Sequence, residues 1–468
     1  MEEPTQQHFL LATYAGQGHI NPALRLATQL ARTIPGARVT FSTTVSGHRR
    51  MFPSAASDGE VSDGRLSYLP FSDGYDDGFK GGTTGLNDCM AQSKLHGSRN
   101  LSNLLGDLTA SGRPVTCLIY TILLPWAADV AREHGIRSFL HWIQPAIVFA
   151  IYYHYFHGYE GLVASNRGDP LFEVEFPGLP PLRIRDLPSL LTISADDPLH
   201  SVFLIILREV FETVDREKTK SHKPRILLNT FDALESDALS AVDAMHLLPI
   251  GPSLPSPEET TSHGDIFQLD GKRYMEWLDS KPEKSVVYVS FGSLSVMRKQ
   301  QLEEMLNGLE ECGRPYLWVV RKDNREEGVE LEKGEKGMVV EWCSQVKVLS
   351  HPSVGCFVTH CGWSSMLESL ACGVPIVGAP QISDQGMNAK QAEEAWGTGV
   401  RAEANDEGVF EGAELRRCLE VVMGQGEKGA EMRRKAKMWR DRVQEAVASG
   451  GPSDRNLRAF VEEIGKGA

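Results

Sequence analysis

The sequence predicts an α/β protein with two doubly wound domains, each a parallel sheet covered by helices on both faces. The first observation is that short apolar runs alternate with amphipathic stretches along the whole chain of 468 residues. The second is the run "GPSLPSPEETTSHGD" (251–265), which is rich in Pro, Ser and Glu and typical of a linker. The alternation resumes after it, so we expect two Rossmann-like domains that face a shared cleft.

The first predicted domain, residues 1–250, begins with a strand and a helix. "NPALRLATQLAR" (21–32) predicts a helix with Asn21 as its N-cap and Pro22 in its first turn. The predicted strands are residues 8–14, 37–44, 115–121, 138–142 and 225–230.

A predicted linker, 251–272, leads to the second predicted domain, 273–445. Two helices end the chain, separated by the breakers at 450–452, and we expect the last segment, 446–468, to pack back on the first domain. The predicted strands of the second domain are residues 284–293, 315–320, 337–342, 354–360 and 374–380.

Charge and composition exclude several classes of protein. The net charge of −14 argues against nucleic-acid binding, which would need a basic face. The start "MEEPTQQHF" lacks the features of a signal peptide, and no apolar run approaches the ~18 residues that span a bilayer. Eight cysteines without a CxxC pair indicate free thiols in a reducing compartment. We therefore expect a cytoplasmic monomer without a membrane or nucleic-acid partner.

No metal site is expected. The run "HPSVGCFVTHC" (351–361) contains His and Cys, but Cys356 lies inside a strand-like segment and no second ligand pair has zinc spacing.

Polar residues follow the predicted strands at several points. In open α/β sheets ligands bind beyond the carboxyl ends of the strands, so these residues are expected to line a site. They are His19, Thr121, Ser293, Trp342, His360, Asp384 and Gln385.

The run "THCGWSSMLES" carries the densest polar group. Gly362 permits a tight turn, after which Ser364 and Ser365 open a helix, and a helix N-terminus binds anions such as a diphosphate. Glu368 lies one turn deeper on the same face, where a carboxylate suits the hydroxyls of a ribose. Trp342 offers a flat face for a base, so the group indicates a nucleotide. The alternative is a capping box of Ser365 with Glu368, which would need no ligand.

Residues 342–385 resemble the 44-residue signature box of plant UDP-dependent glycosyltransferases. The runs "GQGHINPALRLATQLA", "LLNTFDALE" and "SFGS" resemble the same family. "YTILLPWAADVARE" and "HWIQPA" resemble the branch of anthocyanin 5-O-glucosyltransferase-like enzymes and glucose-ester formers. The resemblance implies the glycosyltransferase B fold and transfer of glucose from UDP-glucose, the co-substrate, to a hydroxyl or carboxyl of a flavonoid, anthocyanidin or other small phenolic. It implies no further cofactor and no metal.

The resemblance also implies a role for each matching position. His19 would be the general base, and Gln17, Trp142 and Gln144 would contact the acceptor. In the donor site, uracil would stack on Trp342 and bond the Cys343 backbone, and Gln345 and Glu368 would bind the ribose. The diphosphate would be bound by Ser293, His360 and Ser365, beside Gly362 and Ser364. Trp363, Asp384 and Gln385 would contact the sugar.

Two positions depart from the family pattern. Ser364 stands where the family usually has Asn, which shortens one donor near the phosphate. Thr121 stands where an Asp usually orients the catalytic His. A hydroxyl can accept a hydrogen bond from an imidazole but cannot stabilise an imidazolium as a carboxylate does.

Other readings remain open at this stage. "GQGHIN" half-matches a dinucleotide fingerprint, but Asn21 replaces the third glycine and no acidic residue ends the second strand. Thr121 is also compatible with a UDP-sugar-binding protein without turnover. The aromatic stretch 141–159 could line a pocket for planar phenolics or equally pack as a core helix.

Overall fold

The computed structural model of the protein describes residues 6–53, 58–79, 85–193, 197–219, 223–255, 271–293, 295–324 and 336–466. The chain divides into two compact units, Met1–Ile266 with Ala446–Ala468, and Phe267–Glu445. Most of the predicted linker, 251–272, lies outside the described residues, so the predicted domain boundaries remain a proposal.

A largely parallel sheet forms the centre of the first unit. The described strands are β1 (His8–Ala12), β2 (Arg38–Ser42), β3 (Val61–Ser62), β4 (Ser67–Tyr68), β5 (Cys117–Thr121), β6 (Arg137–Trp142), β7 (Glu173–Val174), β8 (Leu182–Arg183), β9 (Arg225–Leu228) and β10 (His246–Pro249). Eight of them lie in the order β10-β9-β6-β5-β1-β2-β4-β3, while β7 and β8 form a separate pair. The pairing of β3 with β4 is antiparallel.

Helices cover this sheet. The described α-helices before residue 250 are α1 (Gln17–Thr33), α2 (Val45–Met51), α3 (Leu86–Ala110), α4 (Trp126–Glu133), α5 (Ala146–His154), α6 (Glu160–Asn166), α7 (Ser189–Thr192), α8 (Pro198–Arg216) and α9 (Asp232–Ser240). A π-helix (Tyr155–Tyr159) and a 3-10 helix (Ile184–Asp186) are also present.

The helix α1 begins earlier than the sequence predicts. Gly16 is its N-cap, and the Gly16 carbonyl accepts the N–H groups of His19 and Ile20 at 2.9 and 2.8 Å. The predicted N-cap at Asn21 is therefore wrong, and Pro22 lies inside the helix. The interior proline removes one N–H, but the apolar stripe that packs on β1 holds the helix in place. This start places His19 in the first turn of α1.

The second unit is built on a six-stranded parallel sheet within the described residues. Its strands, in the order β13-β12-β11-β14-β15-β16, are β11 (Val286–Ser290), β12 (Tyr316–Val319), β13 (Gly337–Val340), β14 (Val354–Thr359), β15 (Ile376–Gly378) and β16 (Gly399–Arg401). The remaining helices are α10 (Gly271–Asp279), α11 (Lys299–Cys312), α12 (Gln345–Leu349), α13 (Trp363–Cys372), α14 (Gln385–Lys390), α15 (Gly412–Met423), α16 (Glu427–Val447) and α17 (Pro452–Lys466).

The last helix, α17, packs on the first unit. Leu457, Phe460, Val461 and Ile464 recur at helical spacing, and all four are buried in the core that contains β1 and β5. The ring of Phe460 meets Phe139 of β6 edge to face at 4.9 Å.

Each sheet has one point at which the strand order reverses. In the first unit the chain runs outward from β1 to β2 and then returns to β5 on the other side of β1. In the second unit it runs from β11 to β12 and β13 and returns to β14 beside β11. Ligands of open α/β sheets bind at such switch points, beyond the carboxyl ends of the strands. Ligands are therefore expected at the ends of β1 and β5 and at the ends of β11 and β14.

Candidate active site

The turn after β14 opens the helix α13. Gly362 is the N-cap, and its position puts Ser364 and Ser365 in the first turn, where backbone N–H groups have no partner within the helix. Gly362 has no side chain with which to cap this helix start. The capping box of Ser365 with Glu368 is thus not formed.

Gln345, the first residue of α12, joins the two side chains instead. Its Nε2 donates to Ser365 Oγ at 2.9 Å and to Glu368 Oε2 at 2.8 Å. Ser365 and Glu368 are both buried. The structure therefore brings together three of the predicted donor-site residues beneath the N-terminus of α13.

Tyr288 of β11 completes this group, and sequence reasoning missed it. Its hydroxyl donates to Gln345 Oε1 at 3.3 Å and lies 3.4 Å from Cys343 Sγ. Burial raises the pKa of Tyr288 well above its ordinary value, so the hydroxyl stays protonated. Because Tyr288 occupies Oε1, the amide of Gln345 is oriented with its N–H donors toward Ser365 and Glu368.

His360 lies between two glycines. A Cβ added at Gly292 would come within 2.7 Å of His360 Nε2, and one at Gly362 within 2.5 Å. Burial lowers the pKa of His360 to about 4, and the positive charge of Arg321 acts in the same direction. The imidazole is therefore neutral near pH 7 and can offer a single N–H donor to a diphosphate.

Arg321 holds the loop that follows β11, and the sequence analysis did not single it out. It donates to the carbonyls of Gly292 and Ser295 at 2.7 and 2.9 Å, and Asn324 also donates to the Ser295 carbonyl, at 2.7 Å. Arg321 and Asn324 are both buried. Arg321 and Asn324 thus hold the backbone on both sides of the partly buried Ser293. The only sequence signal was an arginine at the end of an apolar strand.

Asp384 and Gln385 stand at the start of α14. Asn388 Nδ2 donates to Asp384 Oδ2 at 2.7 Å and to the carbonyl of Cys361 at 2.9 Å, which ties this helix to the turn before α13. Gln385 Oε1 accepts the backbone N–H groups of residues 381 and 382 at 2.9 and 3.1 Å.

The side chain of Trp363 points into the interior. It is only 4% exposed and its ring lies 6.1 Å from that of Trp396. Little of the indole surface is available, so contact of Trp363 with the sugar remains a prediction that concerns its backbone at the start of α13. By contrast, Trp342 follows β13 and is partly exposed, as a base-stacking face requires.

His19 stands at the switch point of the first unit. It is partly buried, its ring meets Tyr14 edge to face at 6.1 Å, and its Nδ1 has no hydrogen-bond partner among the described residues. Burial lowers the pKa of His19 to about 4. The ring is therefore neutral near pH 7, which is the form a general base needs.

Thr121 does not orient His19 in this structure. Its hydroxyl lies 3.0 Å from the hydroxyl of Thr13, and both threonines are buried. The expected hydrogen bond from the His19 imidazole to Thr121 is therefore not formed.

The predicted acceptor residues separate into two groups. Trp142 is fully buried, and its indole N–H donates to the Pro145 carbonyl at 3.0 Å, so it supports the fold and offers no surface to an acceptor. Gln17 is buried and donates to Asn21 Oδ1 at 2.7 Å, whereas Gln144 is partly buried.

The aromatic stretch belongs largely to the core. Tyr152 and Tyr155 are buried, while Tyr153 and Phe156 remain partly exposed. The alternative that this stretch packs as a core helix therefore applies to Tyr152 and Tyr155.

The described part of the chain contains no cluster of three or more His, Cys, Asp or Glu side chains that could hold a metal ion. Its helices are also either too short or too polar to traverse a bilayer.

One largely parallel and one parallel sheet, each with polar residues at its switch point, are the architecture of nucleotide-dependent transferases of the glycosyltransferase B class. The helix N-terminus beside Gln345, Ser365 and Glu368 is suited to a nucleotide. Comparison with known proteins gives the family. The profile described as "UDP-glucoronosyl and UDP-glucosyl transferase" matches residues 260–445. Plant relatives 44–49% identical over nearly the whole chain show that it belongs to this family and is a UDP-dependent glucosyltransferase.

Relatives match over nearly the full length of the chain. A crocetin glucosyltransferase, chloroplastic, of Gardenia jasminoides is 49% identical, with 99% of this chain and 98% of that protein covered. Anthocyanidin 3-O-glucoside 5-O-glucosyltransferase 1 of Perilla frutescens is 44% identical, with 98% and 99% covered, which confirms the predicted branch. The crystal structure of Os79 from O. sativa in complex with UDP superposes with a TM-score of 0.83 at 31% identity, covering 98% of this chain and 100% of that one.

Proposed function

We propose that the enzyme transfers glucose from UDP-glucose, with inversion, to a hydroxyl or carboxyl of a small phenolic metabolite and gives a β-glucoside. The observation that carries the proposal is the group of Gln345, Ser365 and Glu368 beneath the N-terminus of α13. It combines anion-binding amides with a carboxylate one turn away, as the diphosphate and ribose of UDP require. A panel of phenols and carboxylic acids, assayed with UDP-glucose and scored by mass spectrometry and anomeric NMR, tests it.

In the proposed donor site, uracil stacks on Trp342 and bonds the Cys343 backbone, and Gln345 and Glu368 hold the ribose. The carboxylate of Glu368 accepts from ribose hydroxyls, and Tyr288 keeps the Gln345 amide in place. The diphosphate lies on the N-terminus of α13, with Ser293, His360, Ser364 and Ser365 as further donors. Asp384 and Gln385 bind the sugar.

In the proposed reaction, His19 removes the proton from an acceptor hydroxyl, whose oxygen attacks C1 of the sugar from the face opposite the diphosphate. The C1–O bond to UDP breaks as the new C1–O bond forms, so the configuration inverts. Neutral N–H donors and the helix N-terminus of α13 stabilise the leaving diphosphate.

Replacing Glu368 with alanine is expected to raise the KM for UDP-glucose about 10- to 100-fold, because a charged hydrogen bond to ribose is lost. The KM for the acceptor should stay within about twofold. Steady-state kinetics with each substrate varied in turn measure both constants. The exposed Glu445 provides the matched control, Glu445→Ala. An unchanged KM for UDP-glucose in Glu368→Ala would assign Glu368 to structure alone.

Activity should survive removal of divalent ions, because we propose that protein N–H groups neutralise the leaving group. Turnover in EDTA is expected to equal turnover in Mg²⁺ within about twofold. Loss of activity that added divalent ions restore would contradict this prediction.

Thr121 is expected to bias the enzyme toward acidic acceptors. A carboxylic acid is already ionised at neutral pH and needs no base, whereas a phenol does. The Thr121 hydroxyl bonds Thr13, but a carboxylate that turned from position 121 to His19 would raise the pKa of the imidazole by about one unit. Thr121→Asp should then raise the phenol-to-carboxylate rate ratio by up to about tenfold. Thr121→Val is the control that removes the hydroxyl without adding charge. A ratio that stays constant in both variants would make Thr121 a bystander.

We further propose that the enzyme is a cytoplasmic monomer. All eight cysteines are free, which fits a reducing compartment. Size-exclusion chromatography with light scattering and imaging of a fluorescent fusion test the two statements.

A further inference from the structure

The run "LLNTFDALE" has no role in the donor site or in the proton transfer described above. It begins in β9 and ends at Glu235 in α9. Glu235 is 7% exposed, and its carboxylate faces the start of α5. Its Oε2 accepts the N–H of Ala146 at 2.9 Å, and its Oε1 accepts the N–H of Ile147 at 3.1 Å.

This contact is a helix cap supplied from a distant part of the chain. The N-cap position of α5 is Pro145, whose side chain forms no capping hydrogen bond. The first N–H groups of a helix have no partner within it and carry partial positive charge, so a carboxylate satisfies both needs at once. The backbone of α9 departs from helical geometry at Glu235 itself, with φ −137° and ψ 36°.

The same run also holds the beginning of the segment that leads into α5. The N–H of Asn229 donates to the Trp142 carbonyl at 3.0 Å, and the Trp142 indole donates to the Pro145 carbonyl at 3.0 Å. Residues 142–147 are thus bound at one end by Asn229 and at the other by Glu235. Gln144, the partly buried residue proposed to contact the acceptor, lies between the two attachments.

A buried carboxylate is a costly way to make a purely structural cap. Burial raises the pKa of Glu235, against the hydrogen bonds from the N–H groups of Ala146 and Ile147, which lower it. Removing one partner of a buried charged contact shifts or frees the other, so the position of α5 depends on this side chain.

We propose that Glu235 is a positioning residue for acceptor recognition, which fixes the acceptor segment 142–147 and so determines how tightly and through which hydroxyl an acceptor binds. The inference rests on the proposed acceptor role of Gln144. It assigns to the run 227–235 a function in acceptor selection, separate from donor binding.

The test is Glu235→Gln, which keeps the shape but replaces one acceptor oxygen with an N–H₂ donor that meets a backbone N–H. We expect the KM for a polyhydroxylated phenol to rise about 5- to 20-fold and the ratio of its glucoside regioisomers to change. The KM for UDP-glucose should stay within about twofold. Asp237→Asn, on the exposed face of the same helix, removes the same charge and should change neither quantity.

Three outcomes would overturn the inference. They are an unchanged acceptor KM and regioisomer ratio in Glu235→Gln, a parallel rise in both KM values, and an equal change in Asp237→Asn. If Glu235→Gln does not fold, as judged by thermal denaturation and UDP binding, the regioisomer ratio is measured in Glu235→Asp, which keeps both oxygens but withdraws them. A changed ratio there supports the inference, and an unchanged ratio overturns it.

Failure of the proposed function would give a result that differs from these three outcomes. Wild-type enzyme would then glucosylate no member of the phenol and carboxylic acid panel. A wild type that turns over phenols, combined with Gln144→Ala that leaves acceptor KM unchanged, would overturn the link between Glu235 and Gln144.

Discussion

Replacing His19 with alanine is expected to lower the rate of phenol glucosylation by about 10²–10⁴-fold, the usual loss when a general base is removed. His19 stands in the first turn of α1, immediately beyond β1 at the switch point of the first unit. Its ring is neutral near pH 7, so a ring nitrogen can accept the proton of the hydroxyl in the proposed reaction. Turnover of an already ionised carboxylic acid should fall much less in the same variant.

The pH dependence of the wild type follows from the burial of this ring. Burial lowers the pKa of His19 to about 4, and the base is active only when unprotonated. Activity on phenols should therefore be flat on the acid side of neutrality and fall only as the pH drops through about 4. The plot of kcat/KM against pH measures this limb, provided that the enzyme stays folded, which circular dichroism checks.

The control for His19→Ala is His246→Ala, which replaces an exposed histidine on the same unit. It should leave phenol turnover unchanged. Near wild-type phenol turnover in His19→Ala would remove His19 from the reaction and would require a different base.

Replacing Gly362 with alanine is expected to lower kcat/KM for UDP-glucose by on the order of 10²–10³-fold, the loss typical of removing one donor to developing negative charge. The new Cβ would lie 2.5 Å from His360 Nε2, so the imidazole has to leave its position. The backbone at Gly362 has φ −59° and ψ 141°, which any residue adopts, so backbone strain adds nothing to the effect. Substitution of Gly292 would be less informative, because its φ of +72° would add backbone strain to the clash with His360.

Calorimetric measurement of UDP affinity, together with steady-state kinetics, checks this prediction. Gly426→Ala is the matched control, because a Cβ there meets nothing within 4 Å. Wild-type affinity for UDP and wild-type kcat/KM in Gly362→Ala would show that His360 does not hold the diphosphate.

Much of the fold could be predicted from the sequence. All ten predicted strands are present, each somewhat shorter at one or both ends except the strand at 138–142, which begins one residue earlier, at Arg137. Those strands are long apolar runs whose burial on both faces leaves a clear pattern. Six of the described strands were missed. β3, β4, β7 and β8 have two residues and β16 has three, which is too short to show any periodicity, and β10 has four.

Sequence alone also predicted most of the chemical content of the proposed donor site. Ser365 and Glu368 were singled out by residue type and helical spacing, because spacing along one helix fixes which side chains share a face. Gln345 was implied only by the resemblance to the family. The polar residues within 342–385 were enough to indicate a nucleotide. The family relationship confirms the class of enzyme that this content implied.

Only the tertiary structure decided which side chains meet across long sequence distances. Tyr288 reaches Gln345, Arg321 holds the loop at Gly292, and Glu235 caps α5, in each case from an element that packs alongside. Tertiary packing likewise buried Trp142 and Trp363 and paired Thr121 with Thr13. Residue type predicts what a side chain can do. Its orientation, burial and partner depend on the faces that strands and helices present to one another, which a pattern along one chain does not contain.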